Sequence, residues 1–153
     1  MRPQEIRPDT ALCTILGYNA QSGHSRRYFN GWLRKNSINA TAIALNITDE
    51  HFDFTMSSVG NSKVDKMILE FEFSQKAIEY CSNGSELKRV DFIEVVDGKV
   101  VGYNLDSEVD GLFENLNLID DRERLVAKMM LIALRWYGVN VVVDEIPLMI
   151  DNK

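Results

Sequence analysis

Apolar residues along this chain gather in short runs, and the spacing within each run suggests its structure. Residues Ala11–Gly17 (ALCTILG) form an apolar run closed by glycine, which predicts a buried strand. In RRYFNGWLRKN, residues 26–36, Tyr28, Trp32 and Leu33 recur at helical spacing with basic residues on the other face. A helix is expected there, with Ser25 as its N-cap. INATAIALNI, residues 38–47, predicts a second strand, and Thr48 followed by Asp49 and Glu50 marks a helix start. VGNSKVD reads as a loop. KMILEFEF, residues 66–73, predicts a third strand whose second half alternates apolar and acidic residues. SQKAIEYC then predicts a short helix capped by Ser74, and SNGSE a turn.

KRVDFIEVVDGKVVGYNL, residues 88–105, predicts a hairpin, because Asp97-Gly98 suits a two-residue turn with positive φ at both positions. SEVDGLFENLNL reads as a helix entry, with Asp106 or Ser107 as cap. DDRERLVAKMMLIALRWYG gives the strongest helical pattern, with acids at its start and Gly138 as a stop. VNVVVDEIPLMI, residues 139–150, is apolar and predicts an edge segment. The order is strand–helix three times, then a hairpin, then helices. It predicts an α/β fold: a three-layer domain with a mostly parallel sheet carrying antiparallel members, and helices on both faces. Residues 1–10 read as a tail and 11–153 as a single domain. Ligands of such sheets bind beyond the carboxyl ends of the strands. The polar segments after Gly17, Phe73 and Tyr103 fall at such ends.

Composition narrows the function classes. At 153 residues, 45% hydrophobic and 26% charged, the chain can bury one sizeable core. A net charge of −6 argues against nucleic acid and anionic membrane surfaces as partners. Cys13 and Cys81 lie in apolar stretches without CxxC spacing, which suits reduced thiols and a cytoplasmic location; a disulfide between them is the lesser alternative. The N-terminal MRPQEIRPDT lacks the apolar core of a signal peptide, and the apolar stretch 125–143 is broken by Lys128, Arg135 and Asn140, so no membrane span is expected. His24 and His51 have no metal-ligand spacing, and no metal is expected. The chain has no GxGxxG, no GxxxxGK[ST] and no GxSxG, so no cofactor is expected to be bound by this chain alone.

GYNLDSEVDGL resembles the GYNTDxxG segment of shikimate dehydrogenases, and the preceding DFIEVVDGKVV resembles that family's hairpin. GYNAQSGHSRRYFN is similar to the family's GxPxxHSxSPxxHN loop, ILEFEFSQKAIEY occupies the place of NVTxPxK, and LVAKMMLIALRWYGV resembles the last helix. The resemblance implies a substrate-binding domain plus the closing C-terminal helix, with the NAD(P)-binding Rossmann domain missing. It also implies site residues. Ser25 matches the second carboxylate-binding serine, and Gly23 falls at the first. Ser74 falls at the general acid–base lysine, with Lys76 two residues further on; Asp91 falls at the Asn of AVNT. Asn104 and Asp106 are kept around Leu105, and Lys128 falls at the substrate-binding Gln. The candidate substrate-binding set is therefore Ser25, Ser74, Asp91, Asn104, Asp106 and Lys128, and Asp106 alone matches a catalytic residue.

Each of these residues also has a plainer reading. Asp106 and Ser25 suit helix caps, Asn104 suits a turn, and Lys128 suits a snorkelling side chain. Asp91, Glu70, Glu72 and Glu94 suit a solvated strand face. The expected function is a catalytically impaired or inactive domain binding a small polyol or carboxylate, or a protein partner. The alternative is the substrate-binding subunit of a shikimate/quinate dehydrogenase working with a separate NAD(P)-binding chain. A third reading is an interaction protein, with 139–150 as the surface of a homodimer.

Overall fold

A computed structural model describes residues 6–59, 64–113 and 119–151. Its strands are β1 (Ala11–Gly17), β2 (Ala40–Asn46), β3 (Lys66–Leu69), β4 (Phe92–Val96) and β5 (Lys99–Tyr103). Its helices are α1 (His24–Lys35), α2 (Asp49–Ser58), α3 (Asp106–Asp110), α4 (Asp121–Tyr137) and α5 (Ile146–Asp151). The strands form one sheet in the order β2-β1-β3-β4-β5. Ala11 N–H donates to Asn39 O at 3.1 Å and Ile47 N–H to Gly17 O at 2.9 Å, so β2 runs in the direction of β1. β3 is parallel to β1, β4 is antiparallel to β3, and β5 is antiparallel to β4. Among the described residues β4 alone runs against the other strands. The fold is thus α/β, with a mostly parallel sheet carrying an antiparallel member.

The chain divides into two compact units: residues 12–23 and 42–104, and the described residues of 1–11, 24–41 and 105–153. The first, the sheet unit, holds nearly all of the sheet. Leu16, Met67, Leu69 and Ile93 project from one sheet face into a core with Phe52 and Met56 of α2 and with Phe73. Phe52 and Phe73 stack at 4.3 Å between ring centres. Thr48 caps α2 by accepting the His51 N–H at 3.3 Å. The β4–β5 hairpin closes through Asp97 (φ 52°) and Gly98 (φ 77°), the left-handed pair that its sequence predicts. The outer edge of β5 is covered at Gly102, where the Asn83 side chain donates to the carbonyl at 2.8 Å and accepts the N–H at 3.0 Å.

The second, the helix unit, packs α1, α4 and α5 together. α1 buries Tyr28, Phe29, Trp32 and Leu33, and Phe29 meets Trp136 of α4 edge-on at 6.1 Å. α4 starts with a full capping box, in which Asp120 accepts the Glu123 N–H at 2.9 Å and Glu123 accepts the Asp120 N–H at 3.4 Å. It ends at Gly138 with φ 72°.

Several local expectations are corrected. The third strand stops at Leu69 rather than Phe73, because the chain turns into a 3₁₀ turn at Phe71–Phe73. Residues Lys76–Tyr80 form 3₁₀ turns rather than an α-helix, and Ser74 closes the preceding turn instead of capping the next one. Residues 139–150 form no strand: Val143–Glu145 is a 3₁₀ turn and α5 comes after it, burying Ile146 and Met149. That run is helical because its apolar residues can reach α4 and α1 at helical spacing. Within the segment read as a helix entry, α3 covers only Asp106–Asp110, and 114–118 lie outside the described residues, as do 60–63 of the predicted loop. Both thiols are free; Cys13 is buried and Cys81 half-buried, and burial pushes the Cys81 thiol up to about 11. Among the described residues no helix is long and apolar enough to cross a membrane.

Candidate functional site

The candidate residues divide between the units. Ser25, Asp106 and Lys128 belong to the helix unit; Ser74, Asp91 and Asn104 belong to the sheet unit.

In the helix unit, α3 packs on α4 and brings two of the three together. Lys128 Nζ lies 3.3 Å from Asp106 Oδ1, with the lysine side chain only 14% exposed and the aspartate 32%. A partly shielded pair is screened less than a surface one, so its field reaches a neighbouring ligand more strongly. One turn earlier on α4, Arg124 makes the same kind of contact with Asp110 at 2.9 Å. Asp106 is the first residue of α3 and Leu105 occupies the cap position without a side-chain bond, so the expected capping role of Asp106 is not what the fold uses. Ser25 is likewise not a cap: it is the second residue of α1 and is buried. The helix begins earlier than the apolar periodicity suggests, because His24 adopts helical geometry directly after Gly23.

In the sheet unit, backbone bonds gather the other three at the ends of β3, β4 and β5. Val90 N–H donates to Ser74 O at 2.7 Å, Asp91 N–H to Tyr103 O at 2.7 Å, and Leu69 N–H to Asp91 O at 3.0 Å. Asp91 and Asn104 therefore bracket the Phe92–Tyr103 rung of the hairpin, whose rings stack at 4.7 Å. Asn104 is not in the left-handed region, so the turn reading does not describe it. The Ser74 hydroxyl is buried and donates to Phe71 O at 2.8 Å. A serine committed in this way is a poor proton carrier.

The same end of the sheet holds further polar side chains outside the candidate substrate-binding set. β2 and β3 lie on opposite sides of β1, so the strand order reverses there, and ligands of open sheets favour that crevice. Glu70 and Glu72 press against Gly17 at the end of β1: a Cβ at Gly17 would stand 2.5 Å from Glu70 Cγ, so only glycine fits. Tyr18 N–H donates to Glu72 at 2.7 Å, and its hydroxyl donates to Asp49 at 2.5 Å. Lys76 lies 3.2 Å from Asp53 and 4.0 Å from Asp49, while Tyr80 donates to Asp53 at 2.6 Å. Of the acids expected on a solvated face, Glu72 is exposed, while Glu70, Asp91 and Glu94 are half-buried. No local pattern marks this network, since Tyr18, Asp49, Asp53, Lys76 and Tyr80 meet only through the tertiary fold.

Hydrogen bonding sets the protonation of the network. The Tyr80 phenol is pushed up to about 12, chiefly because its proton is held by the Asp53 carboxylate. Asp53 is held below the usual carboxylate range by the Tyr80 hydroxyl and by Lys76. Tyr18 is raised by its bond to Asp49. Among the described residues no group of three His, Cys, Asp or Glu side chains is placed to hold a metal ion. Nor do the described strand ends offer a glycine-rich turn for a dinucleotide. β1 runs into a 3₁₀ turn at Ala20–Ser22, β2 into the Thr48-capped α2, and β3 into the turn at Phe71–Phe73.

No family model matches the chain, and no curated protein matches it. Solved structures do. A shikimate dehydrogenase from Aquifex aeolicus superposes with a TM-score of 0.59 at 20% identity, over 82% of this chain and 53% of its own. A shikimate 5-dehydrogenase from Listeria monocytogenes, solved with shikimate and NAD, gives a TM-score of 0.58 at 12% identity, over 90% of this chain and 42% of its own. The 5-ketofructose reductase of a Gluconobacter strain gives 0.57 at 8% identity, over 82% of this chain and 51% of its own. The chain spans about half the length of these solved proteins. Identity this low speaks for the fold alone: the chain carries a partial shikimate dehydrogenase-like fold.

Proposed function

We propose that this chain is a shikimate-dehydrogenase-like substrate-binding domain, impaired in the family reaction, that holds a small hydroxylated carboxylate. The observation that carries this reading is the Lys128–Asp106 pair, with its ammonium 3.3 Å from the carboxylate and mostly shielded from water. Lys128 meets the ligand carboxylate as a point charge, and Asp106 accepts a hydrogen bond from a ligand hydroxyl. Ser25 adds a hydroxyl from the same unit. Impairment is supported by Ser74 at the position that the resemblance gives to lysine, because serine neither titrates near neutral pH nor carries charge. Calorimetric titration with shikimate and quinate tests the reading. Saturable binding is expected, weakened at least about tenfold in Lys128→Met by loss of a charge-assisted contact. Silence toward both compounds in a folded protein would sink it.

A second reading has its own support: the chain spans about half of the solved proteins that it resembles. In that reading it is the substrate-binding subunit of a shikimate or quinate dehydrogenase, and a separate chain supplies the nucleotide, which carries the hydride. Shikimate-dependent NADP reduction appearing only after addition of cell extract favours it, and no rate in either setting removes it.

A further inference from the structure

The helix unit carries a basic cluster that the proposed ligand site does not use. The first turn of α1 sets His24 and Arg27 three residues apart, on neighbouring positions of one helix face. Arg27 Nη2 stands 3.0 Å from His24 Nδ1 and donates to the Tyr28 hydroxyl at 3.1 Å. The Arg27 guanidinium carbon also lies 4.9 Å from the centre of the Tyr28 ring, and the His24 ring stacks on the same tyrosine at 5.7 Å with 14° between planes. These contacts hold both side chains in place. Arginine only donates, so His24 Nδ1 accepts and the ring proton sits on Nε2. The charge of Arg122, in the first turn of α4, also acts on the imidazole: burial first, then Arg27 and Arg122, lower the His24 pKa.

Among the described residues neither guanidinium is ion-paired, although Asp121 and Glu123 flank Arg122 along α4. Among the described residues Arg27 has no carboxylate partner, and the Arg122 side chain makes no hydrogen bond or ion pair. His24, Arg27 and Arg122 are all exposed. The arrangement is unexpected on a chain of net charge −6, whose other cations near acids are paired, as Lys128, Arg124, Lys76 and Lys35 are. Two unpaired guanidinium groups and one fixed imidazole N–H match a doubly charged oxyanion better than a single carboxylate.

We propose that His24, Arg27 and Arg122 form a phosphate-binding site, which takes the phosphate group of a small ligand through the His24 Nε2–H and the free guanidinium N–H groups. The site lies on the helix unit and does not depend on the Lys128–Asp106 pair. Its test is titration of ¹⁵N-labelled protein with inorganic phosphate and, separately, acetate, with ionic strength held constant by sodium chloride. The His24 and Arg27 side-chain resonances should move saturably with phosphate, with acetate at least about tenfold weaker. Arg27→Gln and Arg122→Gln should each weaken phosphate about tenfold, as loss of one charge-assisted contact predicts. Arg34→Gln, at the far end of α1, should leave binding unchanged. Arg122 touches no described partner, so its variant separates binding from folding. Movement that never saturates, equal response to acetate, or equal weakening in Arg34→Gln overturns the proposal. Lys128→Met should leave phosphate binding intact, so this site and the carboxylate site fail separately.

Discussion

The two units handle their polar groups in opposite ways. In the sheet unit, charges and hydroxyls close on one another: Tyr18 on Asp49, Lys76 on Asp53 and Asp49, Tyr80 on Asp53. In the helix unit, Arg27 and Arg122 face solvent without an ion pair among the described residues, and Lys128 shares a partly shielded pair with Asp106. A closed network spends its hydrogen-bonding capacity on the fold, whereas an open cluster keeps donors for a ligand. The polar end of the sheet is therefore the better candidate for structure, and the helix unit the better candidate for recognition of anions. The described part of the sheet unit carries more acids than cations, whereas in the helix unit the two are about balanced, which also disfavours a carboxylate ligand held by the sheet unit alone.

Removing the packing beneath the closed network should break the comparison most forcefully. Phe52→Ala deletes a fully buried ring stacked on Phe73 and should cost about 3–5 kcal/mol in urea denaturation. Circular dichroism should then report loss of the sheet unit, and retention of wild-type stability would contradict a core built on that ring pair.

A subtler change opens the network without emptying the core. In Asp53→Asn the Tyr80 phenol, pushed up to about 12, should fall back toward its ordinary 10.0, read by ultraviolet titration of tyrosinate. The same variant tests acid stability. Asp53 is depressed in the folded protein, so its contribution is present above its ordinary value of 3.8 and is lost as pH falls through the lower folded value. Asp53→Asn should therefore flatten the pH dependence of stability in that window, and an unchanged profile would mean that Tyr80 and Lys76 do not act on Asp53.

The smallest effect concerns the open cluster. His24 titrates below its ordinary 6.5, with burial as the main cause and Arg27 and Arg122 adding to it. Arg122→Gln should raise the His24 pKa part of the way back, as monitored by proton NMR of the imidazole. No movement would place Arg122 too far away to share a ligand with His24.

Much of the fold was legible because local signals agreed with the tertiary outcome. Thr48, Asp120, Gly138 and the Asp97-Gly98 turn act where their chemistry is local, within three or four residues of backbone. The misreadings occurred where burial decided. Residues 139–150 are apolar enough for a strand or a helix, and only packing against α4 and α1 chose the helix. Ser25 and Asp106 have cap chemistry but sit inside their helices, since the chain enters the helix one or two residues earlier than propensity marks.

The same division holds for the candidate site. The sequence alone determined the succession of the strands, the hairpin, the strongest helix and the identity of Asp106 and Lys128 as residues worth pursuing. It could not say that these two are partners, because 22 positions separate them and the pairing depends on α3 packing on α4. Nor could it find the Tyr18–Asp49–Lys76–Asp53–Tyr80 network or bring Arg122 to bear on His24. Hydrogen bonds and charge fields act over a few ångströms of space, and only the folded chain sets which distant residues come within that range.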